Sequence, residues 1–290
     1  MQEKSSLAIN TKESTVESEK LILEHGKVGI IAGSGNFPLM FCQKAKQNNC
    51  STVVVAHTGE TEQQIEKLSD SCTWIKVGQL GKLISTFKEN KVKVAVMAGG
   101  ISRVKHFSNL KLDLKGVTFL AKIRSTKDDV IMRGLANELE KEGIKVVSCL
   151  SFFSEYVLGK EIFVGKKLSK QEKQDVEVGI SAIKAISSED IGQLVVVKEG
   201  VVVAVEAVEG TDATIIRGGA LGGAGSVVIK FAKTTQDLRF DIPTIGLNTI
   251  KTLNKAKIRV LAMQADKNLL LEPELIKEEA KKSDITIIGI

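Results

Sequence analysis

The sequence predicts an α/β protein, with a Rossmann-like parallel-sheet N-terminal domain followed by a mixed α/β C-terminal domain. Short apolar runs alternate with helical stretches through the first half, and a glycine turn directly follows the first of these runs. In the second half, two β-branched runs are joined at Glu199-Gly200, as in an antiparallel hairpin. Strands that are apolar on both faces and separated by helices are typical of a parallel sheet covered on two sides. A chain of 290 residues, 43% of them apolar, is long enough for two cores.

The N-terminal domain is predicted from this alternation. Residues 1–24 are polar and mixed in charge, which favours a flexible tail. Residues 25–155 are predicted to form a Rossmann-like substrate-binding domain. Its predicted strands span residues 27–32, 52–56, 73–77, 93–98 and 144–149. Its predicted helices span residues 60–68, 80–89 and 128–141, and another begins near Pro38, where a missing N–H costs little.

Residues 156–290 are predicted to form a mixed α/β catalytic domain. The predicted helices span residues 171–186, 244–255 and 273–282. The predicted strands span residues 194–198, 201–205, 227–231, 259–263 and 285–290. The hairpin formed by the first two of these strands distinguishes this half from a second copy of the first domain.

Composition excludes several classes of protein. The net charge of +6, from 41 basic and 35 acidic residues, is mild and scattered, so nucleic acid is not an expected partner. The four cysteines lack a CxxC pair, which argues against a zinc site or a disulfide framework and favours a reducing compartment. The sequence has neither a signal-peptide pattern nor an apolar run near the ~20 residues that span a bilayer, so a cytoplasmic protein is expected.

Two glycine turns lie at predicted strand ends, where sheets of this kind bind ligands. The first contains Gly33, Ser34, Gly35 and Asn36, and the second is Gly99-Gly100. Pro38 takes the place of the third glycine in the dinucleotide pattern GxGxxG, and no Walker lysine motif follows. A phosphate contact and a simple tight turn are both consistent with the first turn.

Carboxylates stand at unexpected places between Glu206 and Asp212. Period-two alternation puts Glu206 on the same strand face as Ala204, where a carboxylate is costly unless it is paired, hydrogen-bonded or bound to a metal. Metal ligation and simple hydrogen bonding to backbone amides both remain open for it. Thr211 and Asp212 precede a predicted helix, so they either cap that helix or form part of an anion site at its N-terminus.

A second acidic cluster contains Asp237, Arg239 and Asp241. An extended backbone would put these three side chains on one face. One interpretation is a structural ion-pair ladder on a solvated face. The other combines Mg²⁺ binding with phosphate contact, because Mg²⁺ prefers one or two carboxylates plus phosphate oxygens, and arginine donates paired hydrogen bonds to phosphate.

Four segments of the sequence carry a recognisable pattern, at residues 29–38, 190–193, 205–213 and 236–243. The last two, VEAVEGTDA and QDLRFDIP, are long and specific, whereas the glycine turn in the first is weak alone. Together they resemble the UDP-2,3-diacylglucosamine diphosphatase family of lipid A biosynthesis, of the type unrelated to calcineurin-like phosphoesterases. The resemblance covers nearly the whole chain after the tail.

Two places depart from the family pattern. The family usually has Arg-Pro where this chain has Arg103-Val104, and Gly-Asp-Asp where it has Lys127-Asp128-Asp129. Acids in the first turn of a helix favour the helix dipole without any further role. The charged residues themselves are kept, so the resemblance still implies ligand contacts by Arg103, Asp128 and Asp129.

The resemblance implies Mg²⁺-dependent hydrolysis of UDP-2,3-diacylglucosamine to UMP and 2,3-diacylglucosamine 1-phosphate (lipid X). It also implies two domains that clasp the substrate, a homodimer, and transient contact with the cytoplasmic face of the inner membrane. The predicted substrate-binding residues are Gly33, Ser34, Gly35, Asn36, Arg103, Asp128, Asp129 and Thr211.

We assign the chemistry as a hypothesis that follows from this resemblance. Asp237, with Asp241 and Asp212, organises Mg²⁺ and the attacking water. Arg239 stabilises charge on the transferred phosphoryl oxygens. Glu206 is a metal ligand or orients one. Two rival functions are a non-catalytic nucleotide-binding regulatory module and a sugar-nucleotide transferase.

Overall fold

The computed structural model describes residues 11–101, 111–123, 128–189, 191–232, 237, 239–240 and 242–290, and of residues 11–14, 128, 129 and 188 it describes the backbone only. The described residues form two compact units. The first unit holds the residues up to Ser154 together with Asp237, Arg239 and Phe240, and the second holds the others from Glu155 onwards.

The first unit is built on a five-stranded sheet in which every pair of neighbours is parallel. Its strands are β1 (Lys27–Ala32), β2 (Ser51–His57), β3 (Ser71–Ile75), β4 (Val94–Ala98) and β5 (Lys145–Val146). Its helices include α1 (Thr11–His25), α2 (Phe37–Gln47), α3 (Ile65–Leu68), α4 (Leu80–Glu89), α5 (Leu114–Lys122) and α6 (Asp128–Lys141). The order β3-β2-β1-β4-β5 confirms the predicted Rossmann-like sheet and reverses between β1 and β4. Sheets of this kind bind ligands at that point.

Apolar side chains on both faces of the sheet form the core of the first unit. Phe87 of α4 is fully buried, and its ring lies so close to β1 that a Cβ at Gly29 would come within 2.9 Å of it. Helix α3 is shorter than the predicted helix at residues 60–68. The physical reason is that the Thr61 hydroxyl bonds backbone groups of β1 and β2, at Ala32 and His57, which holds the preceding residues in a turn.

Residues 1–24 are predicted to be a flexible tail, but the part of this segment that the structure describes is helical. Residues 11–24 belong to α1, which contacts β1 and the 3₁₀ turn Cys149–Phe152. Helix α1 buries Ile22 completely and also buries Thr15 and Ser18. Because two of these three buried side chains are polar, the helix carries little apolar periodicity, and its composition resembles that of a tail. Residues 1–10 lie outside the described part of the chain.

The second unit has a mixed six-stranded sheet and a two-stranded one. Its strands are β6 (Ile162–Val164), β7 (Leu194–Lys198), β8 (Val201–Val205), β9 (Val227–Lys230), β10 (Thr244–Ile245), β11 (Val260–Met263), β12 (Leu269–Leu270) and β13 (Thr286–Gly289). Its helices include α7 (Lys170–Ser188), α8 (Thr211–Gly222), α9 (Leu247–Lys255) and α10 (Pro273–Lys282). The predicted helix at residues 244–255 begins later than expected, because residues 244 and 245 pair with β12.

The larger sheet of the second unit has the order β6-β13-β11-β9-β7-β8. Strands β9, β11 and β13 are parallel, whereas β7 is antiparallel to β8 and β9. The predicted hairpin is therefore confirmed. Its turn has left-handed backbone at Glu199 and Gly200, and the buried carboxylate of Asp175 accepts hydrogen bonds from both of their N–H groups. Because β8 and β9 run in the same direction, their carboxyl ends lie at the same edge of the sheet.

Candidate active site

The two glycine turns of the first unit meet at the carboxyl ends of β1 and β4. The Ser34 N–H donates to the Gly100 carbonyl over 2.6 Å, and the Ser34 hydroxyl donates to the same oxygen over 2.9 Å. A Cβ at Gly33 would lie 2.2 Å from that oxygen, and a Cβ at Gly99 would lie 2.4 Å from the Ser34 carbonyl. Close backbone contact therefore explains why these positions are glycine. Substrate contact by this turn remains a prediction.

The rest of the first turn is open to solvent. Gly35 has φ +85° and a Cβ there would meet nothing within 4 Å, so its glycine serves the backbone conformation. Asn36 is exposed and stands at the N-cap of α2, where its side chain makes no capping hydrogen bond. The first turn thus presents polar groups next to a helix N-terminus at the point where the strand order reverses.

Arg239 lies between two carboxylates of the first unit. Its Nη2 donates to Asp237 Oδ2 over 2.9 Å, its Nε donates to Asp237 Oδ1 over 3.1 Å, and its Nη1 donates to Glu140 Oε1 over 3.3 Å. Arg133 of α6 lies 4.0 Å from Asp237, from Nε to Oδ2. The guanidinium also stacks on the ring of Phe240, 4.7 Å from the ring centroid. This cluster holds an arginine in a geometry suited to anionic oxygens.

The backbone of this cluster is not extended, and in this respect the prediction is wrong. The Phe240 N–H donates to the Asp237 carbonyl over 3.0 Å, which closes a turn. The turn forms because the Asp237 carboxylate also accepts the Arg239 N–H over 3.1 Å, a local bond of the kind that aspartate makes in turns. Asp237 and Arg239 still meet, as predicted, but through the turn and not through strand alternation. Asp241 lies outside the described residues.

The charges in this cluster shift the acidity of both partners. Burial raises the pKa of Asp237, but the hydrogen bonds and charge of Arg239 outweigh burial, so the pKa lies below its ordinary value. The hydrogen bond to Asp237 in turn raises the pKa of Arg239. Asp237 is therefore a carboxylate, and Arg239 a cation, throughout the physiological range. A cavity of about 160 Å³ lies beside Arg239, and its walls include Glu140, Ser148 and, from α1, Glu17 and Ser18.

Glu206, Thr211 and Lys230 form a hydrogen-bonded chain in the second unit, in which Glu206 and Lys230 are buried and Thr211 is partly buried. The Lys230 ammonium donates to Thr211 Oγ1 over 2.8 Å, and the Thr211 hydroxyl donates to Glu206 Oε1 over 2.9 Å. The Gln193 N–H donates to Glu206 Oε2 over 3.1 Å. Glu206 thus makes hydrogen bonds through both carboxylate oxygens, as in the hydrogen-bonding interpretation that the sequence left open. We call this group the Lys230 relay.

Asp212 follows Thr211 in the first turn of α8. Its Oδ2 accepts a hydrogen bond of 2.9 Å from Asn248 Nδ2. Its Oδ1 is buried and has no hydrogen-bond partner within the described residues. Thr211 does not cap α8 with its side chain, since its hydroxyl donates to Glu206, and α8 has no side-chain cap. An anionic oxygen without a donor is suited to a cation.

Glu209 has a structural role in the same segment. Its carboxylate accepts hydrogen bonds from the Ala207 N–H, the Thr214 hydroxyl and Arg217. The hydrogen bonds that the carboxylate accepts from its own backbone N–H and from the Arg217 side chain lower the pKa of Glu209 to about 2. These bonds close the loop between β8 and α8, and so they fix the positions of Glu206 and Thr211 at its two ends.

The structure leaves the other predicted residues untested. Arg103 lies outside the described residues. Asp128 and Asp129 begin α6, as predicted, but their side chains are not described. Among the described side chains, no three or more of His, Cys, Asp and Glu come together as a metal site. The donor set still fits Mg²⁺, because that ion needs only one or two carboxylates besides phosphate oxygens, and Oδ1 of Asp212 has no hydrogen-bond partner within the described residues.

Three residues of these clusters, Arg133, Glu140 and Lys230, are not among the predicted site residues. Arg133 contacts Asp237, and Glu140 contacts Arg239. The two residues stand seven apart, on one face of α6, and this spacing is the only sequence signal that they act together. Lys230 ends an apolar strand, where a lysine usually marks the exposed end. No local signal distinguishes it, because its burial depends on Thr211.

Comparison with known proteins gives two family matches and a full-length relative. Residues 27–156 match the LpxI N-terminal domain, and residues 159–288 match the LpxI C-terminal domain. The chain is 27% identical over 276 residues to a Caulobacter vibrioides protein named UDP-2,3-diacylglucosamine pyrophosphatase LpxI. That alignment covers 91% of this chain and 97% of the relative.

The chain also has weak similarity to solved structures. A biotin carboxylase domain of the Hydrogenobacter thermophilus 2-oxoglutarate carboxylase is 14% identical, with 61% of this chain and 35% of that chain covered and a TM-score of 0.28. The biotin carboxylase domain of a thermophilic 2-oxoglutarate carboxylase bound to ADP is 15% identical, with coverages of 39% and 33% and a TM-score of 0.23. The chain thus spans about a third of each of those chains. Similarity at these TM-scores supports no inference.

Proposed function

The chain belongs to the LpxI family, and from this premise we propose that it hydrolyses UDP-2,3-diacylglucosamine to UMP and 2,3-diacylglucosamine 1-phosphate in lipid A biosynthesis. The observation that carries the proposal is the pair of family matches, which together extend from residue 27 to residue 288. The relative that bears the pyrophosphatase name supports it, because the alignment covers 97% of that protein.

The residues of the first unit would bind the pyrophosphate. Arg239 carries five N–H donors in a planar fork, and it already holds carboxylate oxygens with several of them. Phosphoryl oxygens have the same charge and a similar geometry, so they can take the place of Glu140 on this side chain. Asp237 keeps the guanidinium oriented through the bidentate pair while that exchange takes place. Arg239 then stabilises the charge that develops on the transferred phosphoryl group.

We propose Mg²⁺ as the cofactor. Asp212 would be a ligand through Oδ1, which has no hydrogen-bond partner in the described part of the chain. Asp237 and Asp241 are ligands that the family resemblance implies. When bound, Mg²⁺ neutralises the pyrophosphate and lowers the pKa of the attacking water. Asn248 holds the other oxygen of Asp212 and keeps the carboxylate in one orientation. Glu206, which is bound by Thr211 and Gln193, orients this segment.

Contact with the inner membrane is a further part of the proposal. In the part of the chain that the structure describes, no helix is long and apolar enough to cross a bilayer. Helix α5 offers a surface for peripheral contact, since Leu114, Val117 and Leu120 of one face are 82%, 49% and 38% exposed. Lys115 and Lys122 of the same helix pair with Glu142 and Glu138. The proposed contact therefore rests on the exposed apolar side chains, which are suited to the interface of a lipid surface.

A homodimer is the last part of the proposal, and it rests on the family resemblance. Light scattering on the purified chain measures the molar mass directly. A mass of twice 31.3 kDa supports the dimer, and a mass of 31.3 kDa at all concentrations contradicts it.

The activity is tested with purified protein, UDP-2,3-diacylglucosamine and Mg²⁺, with and without a chelator. We expect UMP release that stops when the chelator is added. A regulatory binding module would bind the substrate without turnover, and a sugar-nucleotide transferase would release little UMP unless an acceptor is present. In H₂¹⁸O, the product that carries the label identifies the phosphorus that is attacked. No UMP release under any of these conditions contradicts the proposal.

A further inference from the structure

We propose that Lys230 is a positioning residue for the hydrolysis: through Thr211 and Glu206 it holds the first turn of α8, and with it Asp212, in place. The inference rests on the proposed function. It goes beyond that function because it assigns a role to a residue that lies outside both long signature segments, residues 205–213 and 236–243.

Lys230 is a buried cation on an apolar face. It is only 3% exposed and ends β9, which has β11 and β7 as its two neighbours in the sheet. Period-two alternation puts its side chain on the same face as Val228, a member of the apolar core that also contains Ile215 of α8. A buried ammonium is costly unless it is paired, and an apolar side chain of similar length would suit these neighbours better. Packing alone therefore does not explain a lysine here.

The hydrogen bonds of the Lys230 relay have only one consistent direction. An ammonium only donates, so Thr211 Oγ1 must accept the 2.8 Å bond from Lys230. The single proton of the Thr211 hydroxyl is then directed to Glu206 Oε1, 2.9 Å away. Lysine and glutamate carry opposite charges, and each compensates the other through the hydroxyl. Thr211 is thereby fixed in one orientation, which neither partner alone would enforce.

The relay is connected to a predicted catalytic carboxylate through the backbone. Thr211 is the first residue of α8, and Asp212 is the second. Asp212 Oδ2 is held by Asn248, but Asp212 Oδ1 has no hydrogen-bond partner in the described part of the chain. The position of Oδ1 therefore depends on where the first turn of α8 sits. A misplacement of ~1 Å in a reacting group can lower a rate by about 10²-fold.

The experiment is a double-mutant cycle on the full chain, with UMP release from UDP-2,3-diacylglucosamine measured for Lys230→Met, Thr211→Val and the double variant. We expect each single variant to lower kcat by ~10–100-fold with little change in KM, as is usual for residues that orient others. Because both substitutions break the same relay, the double variant should be no slower than the slower single variant. Thr211→Ser keeps the hydroxyl, so its kcat should be clearly higher than that of Thr211→Val.

Lys198→Met is the matched control. Lys198 ends β7, which is antiparallel to β9, so it lies at the opposite edge of the sheet from Lys230. Its ammonium donates to the Ala224 carbonyl over 2.9 Å, and its side chain is 28% exposed. Its described partners, Ala224 and Glu199, do not belong to the relay, so we expect wild-type kcat. Circular dichroism of each variant verifies the fold. Where Lys230→Met does not fold, the comparison of Thr211→Val with Thr211→Ser decides, because both leave the lysine in place.

The outcomes separate the inference from the function on which it rests. Wild-type kcat in folded Lys230→Met or Thr211→Val overturns the inference and leaves the proposed function intact. Losses that multiply in the double variant also overturn it, because they mean that the two residues act independently. A loss in Thr211→Ser equal to that in Thr211→Val overturns it as well, because it means that the role of Thr211 is purely steric. A wild-type chain that releases no UMP overturns the proposed function, and the inference with it.

Discussion

Arg239 is the residue for which we propose a phosphate contact, and its side chain is already held in one orientation. Its guanidinium is held by Asp237 through two parallel donors, while the donor towards Glu140 is longer, at 3.3 Å, and partly exposed. The Glu140 contact is therefore the one that a ligand can displace at low cost. Asp237 is buried more deeply, with a side chain only 17% exposed, so the bidentate pair stays in place.

The first prediction concerns this residue. Arg239→Lys should lower kcat by ~10²–10³-fold, because lysine keeps the charge but cannot donate two parallel hydrogen bonds. The measurement is steady-state UMP release at saturating substrate. Arg259→Lys is the control, since Arg259 contacts Glu172 and Thr286 in the second unit and should leave kcat unchanged. A fully active Arg239→Lys variant would show that Arg239 has only a structural role.

Asp237 makes the stability of the chain depend on pH in a defined direction. Folding lowers its pKa below the ordinary value of 3.8, so the folded chain binds this proton more weakly than the unfolded chain does. The ion pair with Arg239 therefore adds stability above that ordinary value, and the contribution is lost as pH falls through the lower pKa of the folded state.

We expect the difference in unfolding free energy between the wild type and Asp237→Asn to shrink as pH falls below 3.8, the ordinary value of an aspartate. Urea unfolding at a series of pH values measures it. In the same range, NMR titration should show a higher pKa for Asp237 in Arg239→Gln than in the wild type. A stability difference that grows as pH falls would contradict the assigned direction.

At the scale of elements, helix α5 is held from one side and open on the other. Asp113 caps it by accepting the Gly116 N–H over 2.8 Å and also accepts the Lys82 N–H of α4. Gly116 approaches the Gly78 carbonyl so closely that a Cβ would lie 2.1 Å from it. The opposite face keeps its exposed apolar side chains, which are the surface that we propose for lipid contact.

A double variant, Leu114→Ser with Val117→Ser, should reduce binding to vesicles of anionic lipid by about tenfold or more, because it removes most of the apolar area that would enter the interface. Vesicle co-sedimentation measures this binding, and turnover of detergent-dispersed substrate should not change. The control is Val201→Ser with Leu275→Ser, which removes two side chains that are 61% and 45% exposed in the second unit. Unchanged vesicle binding by the α5 variant would exclude α5 as the contact.

The elements that sequence reasoning predicted well are those with a strong local signal. The strands β1, β2 and β4 are apolar on both faces, and Pro273–Lys282 begins with proline and is helical as predicted. Helix α1 was missed because Thr15 and Ser18, both buried, mimic the polarity of a tail. The turn at Asp237 differs from the predicted extended backbone because it depends on a hydrogen bond that the Asp237 carboxylate accepts from the Arg239 N–H, and a period-two pattern does not encode this bond.

At the scale of the whole molecule, the predicted catalytic residues belong to both units: Asp212 to the second, and Asp237 and Arg239 to the first. The types of these residues and the family resemblance predict that all three are catalytic. The sequence indicated that Asp237 could pair with Arg239, but it did not indicate that Arg133 also lies near Asp237, or that Asn248 holds one oxygen of Asp212 while the other has no hydrogen-bond partner in the described part of the chain, because these contacts are distant in sequence. The two aspartates therefore differ in what they can do for a cation.

This difference predicts separate effects on the Mg²⁺ requirement of the intact chain. Asp212→Asn removes the charge of the unpaired oxygen, so the Mg²⁺ concentration for half-maximal UMP release should rise by ~10-fold or more. Arg239→Lys should lower kcat without that rise, since the arginine acts on the phosphoryl group. Asp284→Asn, which removes an exposed aspartate paired with Lys166, should leave both quantities unchanged. If Asp212→Asn needs the same Mg²⁺ concentration for half-maximal UMP release as the wild type, whatever its kcat, Asp212 is not a ligand of the metal.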